Sequence, residues 1–171
     1  MKIVRIFAPH LWVFKLAPGL KDELTQLYEF WTDQVELRNY FTKNDSVLKY
    51  YKIDIEEAID FTIDFADSIY DYLEENQNNL DEIFSPLSDG QYSYLTLPPT
   101  KHRDKWIRLY AIKVETNIYV ITGGAIKQSQ KMKDDDLTQV EREKIEHCRN
   151  FLQANGVFDT DSLIDFVNSD Q

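Results

Sequence analysis

The chain has 171 residues, 43% of them hydrophobic and 13% aromatic, which fits one globular domain spanning 1–171 and excludes a disordered chain. Its net charge of −11 argues against a surface built throughout for nucleic acid or anionic lipid. That charge is unevenly spread: positions 101–133 hold eight Lys or Arg against two acids, a balance of +6, which leaves −17 on the rest.

In chain order, "KIVRIF" and "LWVFKL" read as two short strands, with "APH" as the turn between them. Pro18-Gly19 closes the pair. This N-terminal region is apolar but broken by Arg5, Pro9, His10 and Lys15, so it lacks the apolar core of a signal peptide. No run approaches the roughly 18 apolar residues of a membrane span. The single cysteine, Cys148, allows no intrachain disulfide and fits a reducing compartment. A cytoplasmic protein with no membrane partner is expected.

A helix is predicted over Leu20 to Phe41, with Leu20, Leu24, Leu27, Tyr28, Trp31 and Val35 on one stripe. "TKNDS" ends it. A second helix is predicted from Asp54, a good N-cap, to Asn76. Ile55, Ile59, Thr62, Ala66, Ile69 and Leu73 form one stripe on it, and Phe61, Phe65 and Tyr72 another. Between the stripes runs an acidic ridge that includes Asp60, Asp64, Asp67 and Asp71. Its regular spacing marks an exposed face that holds no metal.

A turn-rich stretch follows, with a short strand over Tyr92 to Leu97. Trp106 to Val114 and Ile118 to Thr122 are the clearest strands, joined by "ETN" as a hairpin. Gly123-Gly124 then reads as a turn that ends the second strand and needs positive φ. A third helix starts near Asp136, with Thr138 and Glu141 at capping-box spacing and Ile145, Cys148 and Leu152 as its apolar stripe. Asn155-Gly156 stops it, and a last short helix spans Ser162 to Val167. The resulting fold class is α+β: a small, mainly antiparallel sheet with its helices on one face, two long helices before the central hairpin and one or two after it.

Chemistry-bearing motifs are sparse. His10, His102, His147 and Cys148 show no metal-ligand spacing, and Glu143 with His147 is an ordinary pair one helical turn apart. The glycine pair is no phosphate loop, since no Gly-Lys-Ser/Thr run opens a helix. No Ser–His–Asp arrangement is present, Cys148 reads as a core thiol, and no cofactor is expected.

The basic ribbon remains. His102, Arg103 and Lys105 precede the first hairpin strand, Arg108 and Tyr110 share one side of it, and Lys127 and Lys131 follow the second strand. A hairpin brings the start of its first strand beside the end of its second. Arg103, Lys105, Arg108, Lys127 and Lys131 therefore converge at one end of the sheet, as a phosphate backbone requires. The alternative is a set of lysines that solubilise a strand edge.

The stretch "RLYAIKVETNIYVITGGAIKQSQKMKDDDLTQVEREKIEHCRNFL" resembles the C-terminal half of RelE/HigB-like toxins of toxin–antitoxin systems, most closely a toxin-like group from Bacteroidetes. Arg108 matches the strand arginine of that family, "GAIKQ" its glycine-to-lysine step with Lys127 as first lysine, and Thr138 to Glu141 its helix start. The family pattern has Phe and a second lysine where this chain has Ala125 and Gln128, and several members keep a catalytic Tyr or His near a C-terminus that here has neither.

The resemblance implies a RelE-like sheet, an antitoxin partner, and metal-independent cleavage of mRNA, ribosome-bound or free, with no DNA bound directly. Arg108 and Lys127 would stabilise the phosphate, Tyr110, His102 or Lys131 would move protons, and Arg103, Lys105 and Lys131 would hold the RNA. The alternative function is a non-catalytic protein-interaction module on the same fold, using its sheet or its acidic ridge.

Overall fold

A computed structural model describes residues 1–86, 92–96, 107–126 and 139–169. Runs of β-branched and aromatic residues, which suit a pleated and buried surface, form β1 (Lys2–Phe7), β2 (Leu11–Lys15), β5 (Ile107–Glu115) and β6 (Ile118–Ile126). Two further strands, β3 (Phe84–Pro86) and β4 (Tyr92–Thr96), complete one sheet in the order β1-β2-β6-β5-β4-β3. The hairpin expected over 106–122 is present from Ile107 onward as antiparallel β5 and β6, Trp106 lying outside the described residues.

The sheet is mixed, where a mainly antiparallel one was expected from strands that come in pairs. β1–β2, β3–β4 and β4–β5 are antiparallel like the hairpin, but β2 lies parallel to β6 through Leu11↔Tyr119, Trp12↔Val120 and Val13↔Ile121. A tight turn forces two strands to run antiparallel; the long helical connection between β2 and β6 imposes no such direction.

Helices occupy both faces of the sheet, which corrects the expectation of a single covered face. On one face Leu11, Val13, Leu109, Ala111, Tyr119 and Ile121 pack with α1 (Glu23–Thr32), α2 (Gln34–Lys43), α3 (Asp45–Tyr51) and α4 (Ile55–Glu75). On the other, Trp12, Phe14, Tyr110, Ile112, Ile118 and Val120 pack with α6 (Gln139–Ala154) and α7 (Thr160–Ser169). The one-turn α5 (Leu80–Ile83) leads into β3. A strand buried on both sides needs apolar residues at every position, so "LWVF" and "IYVI" are continuous rather than alternating. Each fully buried Leu, Ile or Phe contributes about 1.5–3 kcal/mol of transfer free energy.

The predicted first helix is two helices. Asp33 closes α1 in an extended conformation (φ −85°, ψ 103°) and opens α2, its carboxylate accepting from Val35 N at 2.9 Å and Glu36 N at 3.0 Å. The stripe holds only within α1: Leu24 and Trp31 are buried, whereas Leu20, ahead of the helix, and Val35, after the break, are exposed. α3, where an end was expected, follows directly and stops at Lys52 in the left-handed region. α4 matches its prediction closely, with a reciprocal capping box between Asp54 and Glu57. Both of its stripes pack into the first cluster, and Asp60, Asp64, Asp67 and Asp71 are exposed as expected.

Candidate functional site

The site is built on the open end of the β5–β6 hairpin. Register pairs Ile107 with Ile126, so segment 97–106 and segment 127–138 attach to neighbouring residues of adjacent strands. His102, Arg103, Lys105, Lys127 and Lys131 belong to these two segments. These five residues themselves lie outside the described ones, as do the expected helix start at Asp136 and its Thr138 cap.

Arg108 and Tyr110 lie within the described residues, on the α6 side of β5 as their two-residue spacing requires. Both are buried, Arg108 at 2% and Tyr110 at 1% exposure. A buried position follows from the layer structure: the ribbon reading took this strand face as open, whereas α6 covers it. Arg108 sits opposite Ala125, and Tyr110 opposite Gly123.

The two glycines are strand residues, not a turn, and β6 continues through them to Ile126. Neither has the positive φ expected of them, which in this chain is found at Gly19 and Gly156 among the described glycines. Their role is close approach. The ladder skips Thr122 between Tyr110↔Gly123 and Ala111↔Ile121, and this bulge shifts the alternation of sides by one. Gly123 then faces α6, where a Cβ would lie 2.8 Å from Glu141 Oε2. Gly124 faces α1, where a Cβ would lie 2.7 Å from the Arg108 carbonyl oxygen and 3.0 Å from both Leu27 and Trp31. The Thr122 hydroxyl, itself buried, donates to the Tyr110 carbonyl at 3.3 Å.

Over Gly123 sits a charge cluster that sequence reasoning missed. The Lys144 ammonium on α6 lies 3.0 Å from Glu23 Oε2 on α1 and 3.3 Å from Glu141 Oε1 on its own helix. Glu23 and Glu141 are buried. Burial raises the Glu141 carboxyl above the ordinary range against the opposing pull of Lys144, and the Glu23 charge adds to the rise. Burial alone would lower Lys144, but Glu141 and Glu23 outweigh it and hold the ammonium above its usual value. The signal was in the sequence: Glu141 occupies the same stripe as Ile145, Cys148 and Leu152, one turn earlier. The capping-box spacing with Thr138 accounts for Glu141 locally and gives no sign of this burial.

Cys148, next along that stripe, is a core thiol. Burial, reinforced by the charge of Glu23, pushes it up to about 12. It holds its proton at neutral pH and offers no nucleophile. His147 and Glu143 are exposed, and Glu143 accepts from Gln139 at 2.8 Å. Among the described residues no three His, Cys, Asp or Glu side chains group as a metal site would, and no helix is long and apolar enough to cross a membrane.

The opposite, closed end of the hairpin is fastened. Asn117 takes a left-handed conformation (φ 60°) and its amide N–H donates to Asp81 Oδ1 at 3.1 Å. Tyr119 donates to the same oxygen at 2.7 Å, and Lys113 lies 2.9 Å from it. The Asn117 side-chain oxygen accepts from Leu80 N, and its amide nitrogen meets His10 Nδ1 at 3.3 Å. Burial would raise the Asp81 carboxyl, but the bonds from Lys113, Tyr119 and Asn117 outweigh it and hold it below its ordinary value.

Chemically, the open end offers a buried cation under a sheet surface, a buried carboxylate–ammonium cluster beside it, and two basic segments attached at its rim. Set against known proteins, the chain matches no family model, no curated protein and no solved structure.

Proposed function

We propose that this chain is a toxin-family protein of the RelE/HigB type that holds RNA at the open end of its β5–β6 hairpin and cleaves it without a metal. The observation that supports this reading is the Ile107↔Ile126 pairing, which makes neighbours of the two strand ends to which the basic segments are joined in sequence. Lys127, Lys131, Arg103 and Lys105 would meet phosphates, His102 would transfer protons, and Arg108 would add positive potential from beneath the sheet surface. The resemblance of "RLYAIKVETNIYVITGGAIKQ" to the toxin hairpin supports the same assignment.

One observation favours the second reading, a non-catalytic module that binds a protein partner such as an antitoxin. With Arg108 and Tyr110 buried, neither offers its polar group to a scissile phosphate in this conformation. The two readings part in one experiment. Inducible expression with growth and transcript-end mapping should arrest growth and yield new RNA ends, and Lys127→Ala should relieve both while the protein stays folded. Harmless expression, with no RNA cut or bound, gives the interaction module the case.

A further inference from the structure

The two edges of the sheet are finished differently. At one, β3 is three residues long and ends in Pro86, which has no amide to donate, so that edge is short and blunted. At the other, β1 has six residues and no proline. Only alternate residues of an antiparallel strand spend their amide and carbonyl on the neighbouring strand, so half of those on β1 point away from β2. Among the described residues no strand pairs with that side. The ladder with β2 is regular from Lys2↔Lys15 to Arg5↔Trp12, and its irregularity comes only between Arg5 and Phe7. Ahead of that bulge β1 is a regular template, the form on which an extended peptide adds as a further strand.

Charge narrows the occupant. Positions 1–20, which include both β1 and β2, hold Lys2, Arg5 and Lys15 and no acid, a balance of +3 that leaves −14 on the rest of the chain. An acidic strand is drawn to such an edge, whereas a second copy would bring two acid-free, cationic edges together. The two sides of β1 also differ. On the α7 side Arg5 lies beside Trp12, its guanidinium over the indole and 5.1 Å from the ring centre. This stacking uses a face of the guanidinium, draws it back over the sheet and leaves the N–H donors in its plane. No carboxylate among the described residues pairs with it. On the other side Val4 is 37% exposed, and half-buried Ile6 follows it. A strand with acids on one side and apolar residues on the other complements both.

We propose that β1 is a docking strand for an extended acidic segment of a partner protein, which pairs with its outer side and sets carboxylates on Arg5 and apolar side chains on Val4. The site stands apart from the RNA reading, because it uses neither the β5–β6 hairpin nor the basic segments. The test is binding of the full chain to a capped peptide of alternating Glu and Val, read by fluorescence anisotropy of the labelled peptide and by amide hydrogen exchange of the protein. Saturable binding is expected, with exchange slowed in β1. The same peptide with Lys in place of Glu should bind about tenfold more weakly or worse, as loss of one charge-assisted hydrogen bond requires. Arg5→Gln should weaken the Glu peptide by a similar factor. Because Arg5 also rests on Trp12, a further probe leaves the protein untouched: the Glu peptide methylated at every amide nitrogen, which cannot donate to a strand, should not bind. Absence of saturable binding, equal binding of the Glu and Lys peptides, or binding that survives methylation would overturn the proposal. Slowed exchange elsewhere than β1, or self-association through β1 without peptide, which would assign the edge to a second copy, would overturn it equally.

Discussion

The two ends of one hairpin are built on opposite plans. At the closed end, polar groups are matched to fasten the turn: Asp81 takes Asn117, Tyr119 and Lys113, and Asn117 reaches back to Leu80 and His10. At the open end, side chains are removed or buried instead. Two glycines let α1 and α6 approach β6 from either face, and three charged groups, Glu23, Glu141 and Lys144, are enclosed beside them. The closed end is a network of polar bonds, and the open end is a seam of close approach with a charge cluster set into it. The proposal that RNA is held at the open end rests on this contrast.

The largest effect expected from disturbing it is at Gly124. Any Cβ there meets backbone as well as Leu27 and Trp31, so neither a rotamer change nor a small shift relieves the contact. Gly124→Val should destabilise by about 3 kcal/mol or more, measured by denaturant unfolding. At Gly123 the obstacle is the end of the Glu141 side chain, which can swing away, so Gly123→Ala should cost about 1 kcal/mol. Equal costs at the two glycines would contradict the two-faced packing.

Next is Lys144. Removing it leaves two buried carboxylates facing each other, and breaking a buried ion pair by losing one partner costs about 3–5 kcal/mol. Lys144 is only partly enclosed, so Lys144→Met should cost about 2 kcal/mol. Repeating the unfolding at low pH should recover much of that loss, because protonation removes the facing charges.

The two ends should also respond to pH in opposite senses. Glu141 titrates above its ordinary 4.5 when folded, so its share of stability is full below that value and is lost as pH rises through the raised folded value. Asp81 titrates below its ordinary 3.8, so its share is full above that value and is lost as pH falls through the lowered one. Glu141→Gln should flatten the stability profile on the side above 4.5, and Asp81→Asn on the side below 3.8, as read from urea midpoints across pH. Profiles altered on the same side by both variants would dissolve the contrast.

Asp81→Ala tests the closed end by itself and should cost about 1–2 kcal/mol for the neutral and charged bonds it receives. It should leave any RNA activity unchanged.

Much of this architecture was legible where local and global signals agree. α4 announces itself by a capping box and two stripes that survive packing, and the β5–β6 hairpin by its β-branched runs around "ETN". The stripe of Ile145, Cys148 and Leu152 is likewise buried as read. Illegible features depended on partners distant in sequence. Leu20 and Val35 continue the spacing of Leu24 and Trp31, so periodicity could not show that the helix begins only at Glu23 or that Asp33 turns the chain before Val35. Nothing local tells that β2 pairs with β6 in parallel, or that both sheet faces are covered, although the unbroken apolar runs were a hint. Gly123-Gly124 has the composition of a turn, and only the helices on either side reveal it as a packing seam. The burial of Arg108 follows from the same covered face.

The open end as the RNA-contacting end is tested most directly by the affinity of the purified protein for single-stranded RNA across a salt series. The comparison sets a Lys127→Ala, Lys131→Ala double variant against Lys113→Ala at the closed end. Each phosphate contact to single-stranded RNA contributes a slope of roughly −0.7 in log affinity against log salt. The account predicts that the double variant loses at least about tenfold in affinity and flattens the slope by about one to one and a half, while Lys113→Ala changes neither. Equal losses from both variants, or unchanged binding by the double variant, would contradict it.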